Sequence, residues 1–205
     1  MSTIHSIHVG HNCILRPMES ADVHAVAAIS CECVGKGLYS PEEIAGTVAS
    51  DQRFIYVLDV GNGEIAGYIY FLLTDIKHTA ADMKLGRERL QAVCGSGEPV
   101  LGRIQSVAIR SAFRGYGFSR KLLQFALAVL AKKRAECVFI ACWKKGQDVP
   151  LGAAVRSCGF CFLAEVENAW FDNEKLYCPY CRGRCRCSAE IYYRRISDQP
   201  QLAGL

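Results

Sequence analysis

The stretch running from Ile104 to Phe125 constrains this chain more than any other. Residues 104–109 are rich in β-branched side chains, and Arg110 and Arg114 bracket a short basic turn. Gly115 and Gly117 follow with one residue between them, and an apolar-periodic stretch starts directly after. This order predicts a strand that feeds a glycine-rich loop at a helix N-terminus. The first N–H groups of a helix have no intrahelical partner, and the helix dipole adds partial positive charge there. Glycines keep side chains away, so a phosphate can approach the backbone. The loop is read as a cradle for a pyrophosphate-bearing ligand; by itself, a GxG turn also fits an ordinary tight strand–helix connection.

The chain has 205 residues, enough for one large domain or a domain with a small appendage. Its hydrophobic share of 51% and charged share of 21% place it among ordered globular proteins. No apolar run approaches the roughly 20 residues that span a bilayer, so no membrane partner is expected. The first eight residues have neither a basic start nor an apolar signal core, and a soluble, cytoplasmic protein is expected. The net charge of +4 suits an anionic cofactor as well as nucleic acid. It is not gathered into one basic run, which makes nucleic acid the weaker reading.

Along the chain, residues 13–17 read as a strand closed by Pro17, followed by a helix over 19–30 that ends before Gly35 and Gly37. Ser40, Pro41 and Glu43 form a capping-box start to a second helix. Residues 53–60 and 64–73 read as strands joined through Gly61, Asn62 and Gly63, a hairpin signal. Residues 75–97 are less regular, with one short helix expected around 83–93. A strand over 100–109, a helix over 116–133, a buried strand over 137–142, a helix from Pro150 to Gly159 and strands over 160–166 and 189–196 complete the order. The expected architecture is α/β of the α+β kind. It is a single domain over 1–197 with a central mixed, mostly antiparallel twisted sheet of about seven strands flanked by helices. Residues 198–205 are expected to form a flexible tail.

In this context Arg114, Gly115, Tyr116, Gly117, Phe118 and Ser119 resemble the Arg/Gln-x-x-Gly-x-Gly/Ala loop of the GNAT superfamily of N-acetyltransferases. The last small position is serine here. Val107 to Ile109 resembles that family's preceding strand. Leu15, Arg16, Pro17 and Asp22 resemble its opening, Glu64 to Tyr68 its third strand, and Gly159 and Phe160 the end of its later helix. The resemblance covers most of residues 12–166. It implies an N-acyltransferase that moves an acetyl group from acetyl-CoA to an amine acceptor by direct attack in a ternary complex, and it leaves room for a homodimer. The pyrophosphate would lie on the backbone N–H groups of Gly115, Tyr116, Gly117, Phe118 and Ser119. The pantetheine would run beside Val107, Ala108 and Ile109. A strand splay would admit it, and a backbone N–H near Val107 would polarise the thioester. Arg110, Arg120, Lys144 and Lys145 are candidates for the remaining phosphate. Acceptor choice would lie around 35–50 and 75–97.

The resemblance does not extend to the usual catalytic groups. On the strand before the loop the same-face positions are Arg103 and Gln105, neither of them a base, and the position of the usual tyrosine acid is Val155. Water could relay the proton, or Tyr68, Tyr70, His78, Glu64 or Glu165 could serve, or the domain could be a catalytically silent acyl-CoA sensor. Ordinary structural roles explain each of these side chains more simply, and no catalytic side chain is nominated.

Twelve cysteines are many for such a chain. Cys13, Cys31, Cys33, Cys94, Cys137 and Cys142 stand singly or in apolar contexts, which suggests core packing, and the same reading is preferred for Cys158 and Cys161. Cys178, Cys181, Cys185 and Cys187 fall within ten residues at a turn that carries proline and glycine. A CxxC with a nearby CxC can supply four thiolates to a tetrahedral ion, so a structural Zn2+ is expected, with Arg182, Arg184 and Arg186 lowering the thiol pKa values. Unligated thiols, a redox pair and an iron–sulfur cluster are the other readings, and Cys161 is a further possible contributor. The arginines also suggest a rival function, a zinc-loop module that binds nucleic acid or an acidic partner.

Overall fold

The computed structural model describes residues 7–8, 13–95 and 97–196. In chain order its elements are β1 (Ile7–His8), β2 (Ile14–Pro17), α1 (Val23–Cys33), α2 (Pro41–Ala45), β3 (Arg53–Asp59), β4 (Ile65–Thr74), α3 (Ile76–Asp82), α4 (Arg87–Cys94) and β5 (Leu101–Ile109). They continue with α5 (Phe118–Lys132), β6 (Cys137–Lys144), α6 (Gly152–Ser157), β7 (Cys161–Val166), β8 (Tyr177–Cys178), β9 (Gly183–Arg184) and β10 (Ser188–Arg195). One sheet runs β1-β2-β3-β4-β5-β6-β10-β7. Every neighbouring pair is antiparallel except β5 and β6, which α5 connects in parallel. This is the mixed, mostly antiparallel sheet expected, with the two-residue β1 added at one edge. The expected tail falls outside the described residues.

Helical periodicity decides which face each helix covers. Leu122, Leu123, Phe125, Ala126, Val129 and Leu130 of α5 are buried against one face of the sheet. There Phe125 meets Tyr56 edge-on, with centroids 4.6 Å apart. On the other face Val26 and Ile29 of α1 pack with Ile55, Val57 and Tyr68. Ile76 of α3 and Leu90 of α4 pack with Leu101, Phe139 and Ile191.

Local signals act as expected at the turns. Glu43 N donates to Ser40 Oγ and Ser40 N to Glu43 Oε2, at 3.2 and 2.7 Å. Gly61, Asn62 and Gly63 all take positive φ. Residues 75–97 differ from expectation, because two helices form rather than one. Asp75 Oδ1 accepts from His78 N at 2.8 Å and caps α3, and Lys84 at φ 54° separates α3 from α4. The cysteine reading also needs correction. Cys13, Cys137, Cys142 and Cys158 are buried, but Cys31 and Cys161 are exposed. Cys31 lies off the stripe of α1 that Val26 and Ile29 bury, and Cys161 lies on the edge strand β7.

Arg16 fastens β2 to its neighbours. Its Nη1 and Nη2 donate to both oxygens of Asp22 at 2.6 and 3.0 Å, and its Nε donates to Asp59 at 3.0 Å. Burial alone would raise the Asp22 carboxyl; the Arg16 bonds and the Glu19 N–H outweigh it and hold the group below the usual carboxylate range. A carboxyl depressed in the fold adds stability above its unfolded pKa and loses it as pH falls through the folded value. Asp22→Asn should therefore cost about 2 kcal/mol near pH 7 in urea denaturation. The gap to the parent chain should close as pH falls below about 4; a gap that persists there would refute the assignment.

Candidate active site

The pairing of β5 with β6 stops early. Leu101 to Ile104 face Cys137 to Ile140, and no partner on β6 continues the ladder past that point. At the same place the β4–β5 register slips, with Phe71 opposite Ile104 and Tyr70 opposite Ser106. Gln105 is thus an extra residue, a bulge that bends β5. Beyond it the two strands part, and a cleft of about 1000 Å³ opens between 105–109 and 140–143.

The bulge corrects the expected facing of this strand. Strict alternation would put Arg103 and Gln105 on one face, whereas the extra residue places Ser106 with Tyr68. Ser106 Oγ donates to the Tyr68 hydroxyl at 3.2 Å, and Tyr39 brings its hydroxyl beside the same serine. Tyr39 packs edge-on against Tyr70, with centroids 5.5 Å apart. Neither Tyr39 nor Ser106 stands out in the sequence, since each is placed by contacts distant along the chain. Burial raises the Tyr39 and Tyr68 hydroxyls and the Cys33 thiol, and pushes the Cys142 thiol up to about 12. All four keep their protons at neutral pH. The lining carboxylates Asp82 and Asp172 are held by Arg103 and Lys84, and Asp148 also lines the cleft, in a turn with Lys145.

Of the residues expected to hold a cofactor, Val107, Ala108, Ile109, Arg114 and Ser119 line the cleft. Gly115, Tyr116, Gly117 and Phe118 are not in its lining; they form the loop at its end, where α5 begins. Gly115 and Gly117 take φ 86° and 75°, and a Cβ on either would meet no atom within 4 Å. Backbone therefore faces open space at a helix N-terminus. Arg114 Nε donates at 2.9 Å to Ile109 O, which also accepts from the Cys33 thiol at 3.5 Å. The arginine therefore anchors the loop to the end of β5. Among the candidate phosphate cations, Lys145 lines the cleft, Lys144 pairs with Glu165 at 2.7 Å, and Arg110 lies 3.8 Å from Glu32. His78 pairs with Asp75 on the surface and Val155 is buried in the core.

The cysteine loop joins this site. Cys178, Cys181, Cys185 and Cys187 bring their sulfurs within 4.8 Å of one another, while Cys161 is not in the group. Cys181 lies 3.4 Å and Cys178 3.9 Å from Cys187, well beyond a disulfide bond length. A tetrahedral ion with metal–sulfur bonds of about 2.3 Å needs sulfurs about 3.8 Å apart, so the set fits zinc. Backbone N–H groups of Cys181 and Arg186 reach Cys178 and Cys181 at 3.5 and 3.4 Å. Burial raises the Cys187 thiol on balance, and the Trp143 indole N–H beside it, a buried group with no other hydrogen-bond partner among the described residues, pulls the other way. Guanidinium groups do less than expected. Arg184 donates to Phe171 O, stacks on the Phe171 ring at 4.1 Å and pairs with Glu174. Cys178 and Cys185 themselves line the cleft, as do Trp143, Trp170 and Leu176, a placement the loop's sequence position does not reveal.

The fold is shared with several solved acetyltransferases. Arabidopsis thaliana NAA60 in complex with acetyl-CoA superposes with a TM-score of 0.69 at 12% identity, covering 90% of this chain and 99% of that one. The ribosomal-protein-S18-alanine N-acetyltransferase of Escherichia coli gives 0.61 at 16%, covering 94% and 99%. The dodecameric spermidine N-acetyltransferase of Vibrio cholerae gives 0.63 at 14%, covering 95% and 100%. No curated protein matches the chain in sequence. Residues 28–160 match the model of the acetyltransferase (GNAT) family, and with the parted strands and the glycine loop in place, the chain belongs to that family.

Proposed function

We propose that the chain transfers an acetyl group from acetyl-CoA to an amine by direct attack within a ternary complex. The parting of β5 from β6 after Ile104, beside the glycine loop of α5, carries this reading. The pyrophosphate lies on the N–H groups of Gly115 to Ser119, and the pantetheine amides pair with the open edge of 105–109 as an added strand would. A backbone N–H near Val107 polarises the thioester carbonyl and stabilises the oxyanion. The neutral amine attacks the carbonyl carbon, the C–N bond forms, the C–S bond breaks, and CoA leaves as a thiolate that takes up a proton. The ammonium proton passes to water; Asp82 and Asp172, two of the three carboxylates that line the cleft, are paired with Arg103 and Lys84. Ser106 and Tyr39 orient that water. The amine class of acceptor is supported by similar structures named for a protein alanine and for spermidine.

The same cleft without turnover would be an acyl-CoA sensor, and a screen of amines with acetyl-CoA separates the two. Arg184 is engaged by Phe171 and Glu174, which weighs against an arginine-loop module for nucleic acid. We propose in addition that the four clustered cysteines hold a structural zinc ion, on the strength of their sulfur spacing and the N–H groups aimed at them. The ion would neutralise the thiolates and cross-link the loop.

Three measurements test these readings. Calorimetry should detect acetyl-CoA, and Arg114→Ala should weaken it about tenfold, or 1.4 kcal/mol, by freeing the loop from Ile109; absence of binding at millimolar ligand would overturn the donor assignment. Ser106→Ala should lower kcat about tenfold while leaving the KM for acetyl-CoA unchanged, and an unchanged kcat would remove its role. Elemental analysis should find one zinc per chain, lost in Cys178→Ser and Cys181→Ser; metal-free parent protein would refute the zinc site.

A further inference from the structure

We infer that the metal sets the acceptor half of the cleft. Zinc bound by the cysteine loop holds both that loop and the α1–α2 connection as one wall, leaving the acetyl-CoA half independent of it. This rests on the zinc reading above and deepens it. The loop is not a separate appendage, because Cys178 and Cys185 contribute to the cleft surface with Trp170 and Leu176. Its β8 end is sewn to the α1–α2 connection, where Tyr177 N donates to Lys36 O at 2.8 Å.

The contact between the two segments leaves no room for a side chain. A Cβ on Gly35 would stand 2.6 Å from Leu176 Cδ1, and one on Gly37 would collide with the Lys175 carbonyl. Gly37 also takes φ 75°, so glycine serves there both for close approach and for conformation. Leu38, next in the chain, packs with Leu176, Trp143, Trp170 and the cysteines in one cluster. The following residue, Tyr39, reaches Ser106 in the cleft. A chain of direct contacts thus runs from the four sulfurs to the bulged end of β5. The wall it makes sets Leu38, Trp143, Trp170 and Leu176 beside the polar Asp172 and Asn173.

Apart from this wall stand the elements assigned to the donor pyrophosphate. Arg114 hangs on Ile109 and the loop of Gly115 and Gly117 begins α5, with no contact to the cysteine cluster among those described. Metal loss should therefore loosen acceptor binding and spare the donor.

Hydrogen exchange on the full chain tests this without any acceptor in hand. Removing zinc with a chelator should speed exchange in 168–187 and in 34–40 by about tenfold, within the usual range of coupling between sites. Exchange in 111–130, the glycine loop and α5, should stay as it was, and acetyl-CoA affinity by calorimetry should hold within about twofold. The two tryptophans, Trp143 and Trp170, both line the wall, so their emission should shift to the red in the same samples. Gly37→Ala supplies the reciprocal test should the chelated chain unfold. Zinc content should remain one per chain while exchange rises on both sides of the contact. Unchanged exchange in 34–40 after metal removal, unchanged exchange in 168–176 in Gly37→Ala, or parent chain without metal would overturn the inference. Loss of acetyl-CoA binding in the zinc-loaded parent would instead strike the donor assignment, while the exchange result stood.

Discussion

The parting of β5 from β6 is the constraint on which the rest of the molecule depends. A sheet interior normally satisfies every backbone N–H and C=O through the next strand. Here one extra residue, Gln105, bends β5 away and leaves 105–109 with an unfilled side in the middle of the fold. Strand edges of this kind ordinarily invite misassembly. The α5 crossover and the cysteine loop flank the opening, so it is reached through a cleft and is not laid out on a flat surface. The same bend aligns the strand end with the N-terminus of α5, bringing a row of amide hydrogens and a helix dipole to one place.

The two halves of the cleft are held by different chemistry. Around the donor half, order comes from the backbone: glycines at positive φ, a helix start and Arg114 on a carbonyl. Around the other half it comes from side chains that interlock across the chain, with Leu38 and Leu176 among the cysteines and Trp143 standing over Cys187. Backbone order is cheap to maintain and resists most substitutions, whereas interlocked order changes when any one piece is removed.

That difference also explains what could be read in advance. The glycine loop, the capping box of Ser40 and Glu43, and the hairpin at Gly61 to Gly63 are legible because their cause lies within a few residues. The mixed, mostly antiparallel sheet flanked by helices followed from the element order and the resemblance together. The Gln105 bulge was not legible: a register slip is decided by the partner strand, and it moved Ser106 onto the face alternation had assigned to Gln105. Tyr39 was missed because only the α1–α2 connection, folded back, carries it to Ser106. The four cysteines were visible as a ligand set, yet their place in the cleft wall depends on Gly35 and Gly37 meeting 175–177, far apart in sequence. The exposed Cys31 and Cys161 show the opposite error, a residue type's average burial applied to positions whose helix face or strand edge points outward.

The position of β10 has a consequence for how the chain is built. It lies between β6 and β7, yet it is the last of the described strands to leave the ribosome. Until it arrives, β6 and β7 each expose an unpaired edge, and Leu90, Leu101 and Phe139 lack the Ala189 and Ile191 they pack against. The nascent sheet is therefore complete from β1 to β6 but lacks the strand that joins β7 to it, a state prone to strand exchange between neighbouring chains. A long β7–β10 connection slows closure of that gap, and folding that connection into a tight knot shortens the search for the closing strand.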